Sequence, residues 1–149
     1  MSDLKEQLAL EHYKFLLSKI QHLDEALFKN ITMYGKFITS VFAFIIAAVI
    51  FEKSGKITNE LLILTFNLSK VFILFLSLIF ALITIANIFS WRDYRKEEMA
   101  LLQNLTINFG RKAPSFKNIL RWVETWFLVA LLVISIVAFN LENFLISLM

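Results

Sequence analysis

From Ser2 to Tyr34 the apolar residues recur at helical spacing against a polar background. Tyr13, Leu16, Ile20, Leu23, Leu27, Asn30 and Tyr34 follow alternating steps of three and four, the a/d pattern of a narrow seam. No Gly or Pro interrupts the run before Gly35, so the pattern predicts one helix of about nine turns at 3.6 residues per turn. Its acids (Asp3, Glu6, Glu11, Asp24, Glu25) are as numerous as its lysines, whereas a helix lying on headgroups usually carries a strongly basic polar face. The expected role is a cytoplasmic coiled coil joining subunits, with headgroup binding as the alternative.

Beyond Tyr34 the pattern changes to long uncharged blocks. Phe37 to Phe51 carries no charge, and Ile31 to Tyr34 complete a span of the ~20 residues that a ~30 Å hydrocarbon core needs, provided Lys36 reaches back to the headgroups. Gly35, Thr39, Ala43 and Ala47 form a small-residue ridge that would let another helix approach. Glu52 to Glu60, with Ser54-Gly55, is a short loop. The next block runs from Leu61 to Trp91: Val71 to Ser90 supplies the second span, and Leu61 to Ser69 a helical extension before it. A helical continuation through Leu105 follows, then a break between Asn108 and Pro114 with Ser115 as a cap. The third span begins near Trp122 and runs to Glu142.

These blocks predict an all-α integral membrane protein. It has a cytoplasmic helix over 1–34 and a membrane domain over 35–149, with spans near 35–51, 71–91 and 122–142 and a helical cytoplasmic hairpin within 92–121. Composition agrees, because 58% of the 149 residues are hydrophobic, against roughly 45–50% in soluble domains. Of the fifteen Lys and Arg residues, five lie before Phe37 and seven between Arg92 and Arg121. The positive-inside rule therefore sets the N-terminus in the cytoplasm and the C-terminus outside. The net charge of +3 is explained by anionic headgroups, and no nucleic-acid footprint accompanies it. The polar start of the chain predicts that the first span is not a cleaved signal.

With no Cys, thiolate chemistry is excluded. His12 and His22 stand about 80° apart on one helix, a poor joint metal site. No phosphate loop, nucleophile elbow or carboxylate dyad is found, so the chain reads as a non-enzyme with no cofactor. The residues to weigh are ionisable or polar groups near hydrocarbon. Lys70, Ser77 and Thr84 share a face of the second span, and Glu124, Ser135 and Glu142 a face of the third. Depth pairs Lys70 with Glu142 and Glu124 with Arg92. These faces either fix helix register or line a pore through an oligomer.

Glu11-His12-Tyr13-Lys14, leading through a charged helix into a span, and Trp91-Arg92-Asp93-Tyr94-Arg95 after the next one resemble the small bacterial SLATT and RipA-like membrane proteins. The resemblance covers about the first hundred residues, and the third apolar block departs from the two-span pattern general among SLATT proteins. It implies a homo-oligomer of the bacterial cytoplasmic membrane, in some relatives a pore-forming effector, and no catalytic residues. Two functions follow as expectations: a homo-oligomeric pore-forming or membrane-perturbing protein, or a non-conducting scaffold that recruits a cytoplasmic protein. Its partners would be itself, lipids and, for the scaffold, that protein.

Overall fold

A computed structural model of the chain describes residues 2–105 and 122–146, and side-chain surroundings over 4–105 and 122–140. The described residues form three helices: α1 (Ser2–Lys53), α2 (Asn59–Asn104) and α3 (Val123–Ile146). Each is long and apolar enough to cross a membrane. Only 22%, 33% and 17% of their most apolar stretches is buried within the protein, an exposure that hydrocarbon tolerates and water does not. At 1.5 Å per residue, the 52 residues of α1 and 46 of α2 extend about 78 and 69 Å, more than twice a ~30 Å hydrocarbon core. Both must therefore continue beyond it.

α1 passes Gly35 without interruption, so the helix expected over 1–34 and the first span are one element. A single Gly costs a helix about 1 kcal/mol but leaves its backbone ladder intact; beside it, Thr39 Oγ1 and Ser40 Oγ donate to the carbonyls of Gly35 and Lys36 at 2.8 and 2.9 Å. α2 likewise absorbs both the expected extension over Leu61 to Ser69 and the continuation past Trp91. The expected break at Asn108 to Pro114, the Ser115 cap and most of the hairpin within 92–121 lie outside the described residues.

The turn joining α1 to α2 is shorter than the loop expected over Glu52 to Glu60. Gly55 adopts φ 70°, a left-handed conformation that suits Gly. Its N–H donates to the Glu52 carbonyl at 2.9 Å, and the Lys56 N–H donates to the Phe51 carbonyl at 2.9 Å, the paired bonds of a Schellman stop. The Lys56 ammonium lies 5.4 Å from the centre of the Phe51 ring. Three residues on, Thr58 starts α2: its carbonyl accepts from Leu62 N–H at 3.1 Å and its hydroxyl from Leu61 N–H at 3.4 Å. Glu60 then places a negative charge in the first turn.

The chain forms two compact units, each joining parts distant in sequence because an antiparallel hairpin pairs them. One combines Met1–Lys29 with Thr84–Thr125, the other Asn30–Ile83 with Trp126–Met149. In the first, the buried apolar positions are Leu16, Ile20 and Leu27 of α1 and Ile88 and Leu102 of α2. In the second, Ile45 and Ala48 of α1 meet Leu62 and Phe66 of α2 beside the turn, with Ile57 packed against them. Phe127, Leu131 and Ala138 are the buried positions of α3.

Candidate functional site

Polar groups collect in two places, one in each unit. In the second unit, Tyr34 Oη and Ser77 Oγ stand 2.8 Å apart, and the two residues are only 3% and 5% exposed. A hydroxyl pair in apolar surroundings satisfies itself, where either partner alone would lose its bonds to water. The Tyr34 ring is fixed by edge contacts to Phe80 at 5.3 Å and Phe127 at 5.9 Å, so one tyrosine joins α1 to both other helices.

The residues of the expected polar faces take separate places. Ser77 is bonded to Tyr34, and Thr84 is fully buried in the first unit. Ser135 is half-buried and donates to the Leu131 carbonyl of its own helix at 2.8 Å. Lys70 is half-buried with its ammonium 4.5 Å from the centre of the Phe139 ring. That contact brings Lys70 to α3 one turn before Glu142, whose side chain lies outside the described residues. Of the seam, Leu16, Ile20, Leu27 and Tyr34 are buried inside the single chain, and Tyr13, Leu23 and Asn30 are half-buried. Four of the seven are thus occupied by the chain's own fold.

In the first unit, Glu98 is 1% exposed and its Oε2 accepts from Arg95 Nη1 at 2.8 Å. A buried carboxyl group needs such a partner for oxygens that have lost their bonds to water. The Arg95 guanidinium also lies 5.3 Å from the centre of the Trp91 ring, and Trp91 packs on Trp122 at 5.7 Å. Across from them Asp24 accepts the Trp91 indole N–H. Asp24 is exposed, and partial desolvation beside these side chains raises its carboxyl above the ordinary value; Arg95 and the indole bond oppose that rise. Nearer the start of α1, His12 Nε2 meets Glu97 Oε1 at 3.1 Å in an exposed contact.

Between these groups lies a cavity of about 310 Å³, lined by Asp24, Leu27, Phe28, Trp91, Trp122, Val123 and Glu124. No ion pair of Glu124 is formed among the described residues. The half-buried carboxylate borders the cavity instead. No group of three or more His, Cys, Asp or Glu among the described residues could hold a metal.

The residues that sequence reasoning missed are Asp24, Arg95 and Glu98. The signal for Arg95 and Glu98 was phase: Thr84, Ile88, Trp91, Arg95, Glu98 and Leu102 follow steps of four and three, so Glu98 occupies a buried stripe despite its charge. No protein-family profile, no curated protein and no solved structure matches the chain.

Proposed function

We propose that the chain is a non-conducting membrane scaffold: a helical anchor that assembles with itself and offers the polar face of its N-terminal helix to a cytoplasmic protein. The observation that carries this reading is the Tyr34–Ser77 pair together with the burial of Thr84. Polar groups that could line a water path are already used within one chain. The neighbouring surface of the second unit is apolar, with Phe44, Leu68, Phe75, Leu78 and Phe139 all more than half exposed. Such a surface suits lipid and other helices rather than water.

The SLATT and RipA-like resemblance favours a second reading, a pore-forming effector. That activity would require Ser77 and Thr84 to turn out of their buried positions in the assembled state. Ion flux across liposomes carrying the purified chain separates the two. The scaffold gives no flux above protein-free vesicles at any applied potential. Flux that Ser77→Leu or Thr84→Leu abolishes would establish the pore and overturn the scaffold.

A further inference from the structure

The cavity of the first unit has walls suited to one class of ligand. Two indoles and the side chains of Leu27, Phe28 and Val123 form the apolar wall of a half-open groove, and the two carboxylates on it, Asp24 and Glu124, give it negative charge. About 310 Å³ is the small end of the range for ligand clefts, roughly 300–1,000 Å³, and some ten times the ~30 Å³ share of one liquid water. A bare metal ion does not fit this chemistry, which offers two carboxylates and otherwise carbon and indole. An uncharged apolar ligand would strip water from the carboxylates without replacing it. A cation with an apolar surface satisfies both, resting on ring faces while its charge meets the acids.

The described cation on the Trp91 ring is already engaged. Arg95 is held by the buried Glu98 at 2.8 Å and covers Trp91, while Glu124 is left without an ion pair among the described residues. We infer that the half-open groove lined by Trp91, Trp122, Asp24 and Glu124 is a binding site for a small organic ammonium. Two sources carry that chemistry, a free amine or quaternary ammonium and the ethanolamine headgroup of a lipid. Tryptophans favour the headgroup level of a bilayer, so the site lies within reach of either.

The test uses the full chain carrying Trp126→Phe, which leaves the two cavity indoles as the only tryptophan emitters, in neutral maltoside micelles. Choline is titrated against its uncharged isostere 3,3-dimethylbutan-1-ol while indole fluorescence is followed. Choline should give a saturable change that the alcohol does not, and Glu124→Gln should weaken it about tenfold with the helical circular dichroism unchanged. Glu97→Gln, which alters an exposed acid outside the cavity, should leave it intact. Equal responses to choline and the alcohol, no response to choline, or an unaltered midpoint in a folded Glu124→Gln would each overturn the site. The source follows from nanodiscs of phosphatidylglycerol with and without phosphatidylethanolamine. A choline response weakened by phosphatidylethanolamine assigns the resident cation to the headgroup, and equal responses assign it to a free amine.

Discussion

Removing the Tyr34 hydroxyl is the sharpest perturbation the structure offers, because Tyr34→Phe deletes one oxygen and leaves the ring against Phe80 and Phe127. Ser77 then stays buried without its partner at 2.8 Å. A net hydrogen bond contributes about 0.5–1.5 kcal/mol, and stranding a buried hydroxyl costs about 1–3. Two effects lower the larger figure here: a helical Ser can turn to the carbonyl four residues back, and polar pairs between membrane helices average only ~0.6 kcal/mol in mutant cycles. Tyr34→Phe and Ser77→Ala should therefore each destabilise by about 1 kcal/mol. Made together they should cost about 1–1.4 kcal/mol, less than the sum, because the double variant strands nothing. Reversible unfolding in mixed micelles of all four proteins closes the cycle. A coupling below ~0.3 kcal/mol would refute the claim that the pair is energetically joined.

Three further outcomes follow. Gly55→Ala places a Cβ on a backbone at φ 70° and should cost about 1 kcal/mol although nothing lies within 4 Å of the added carbon, so a neutral result in the same unfolding assay would remove the strain argument. Leu16→Ala, at a fully buried position, should cost about 2–5 kcal/mol, while Leu8→Ala, 58% exposed, should cost well under 1; a Leu16 variant that dissociates an oligomer while the fold keeps its stability would show that the seam serves other subunits first. Because burial raises the Asp24 carboxyl, the folded chain binds that proton more tightly than the unfolded chain, so this group's contribution to stability increases as pH falls from the raised value toward about 4 and is lost as pH rises. Asp24→Asn should flatten that slope, and an unchanged slope in unfolding titrations would rule the group out as its source.

The apolar blocks were legible because length and absence of charge determine a spanning helix with little help from tertiary context. The buried stripe was legible too, in Leu16, Ile20, Leu27 and Tyr34, which are buried within the single chain. Its partner was not, since a narrow stripe is the same whether it meets another subunit or the returning helix of its own hairpin. Glu98 was passed over because a charge usually marks a solvated face, and only its register with Ile88 and Leu102 shows otherwise. Lys70 was expected to meet α3 by depth, and the Phe139 ring one turn before Glu142 illustrates how phase can suggest a helix pair without naming the atom that contacts it. The Asp24–Trp91 bond joins residues 67 positions apart (91 − 24), beyond the reach of any local pattern.

The five residues between Lys53 and Asn59 also bear on how the chain comes together during synthesis. Once Gly55 has turned the backbone, Leu62 and Phe66 emerge directly opposite Ala48 and Ile45, so the first contacts close a very short loop. Tyr34 and Ser77 are 43 residues apart, and His12 and Glu97 are 85 apart. Closing the longer loop from an open chain would cost only about 0.6 kcal/mol more than closing the shorter one, but zipping outward from the turn avoids most of either cost. The two helices would then become a pair residue by residue as α2 leaves the ribosome, and the stripe over the first 34 residues, farthest from the turn, is covered last.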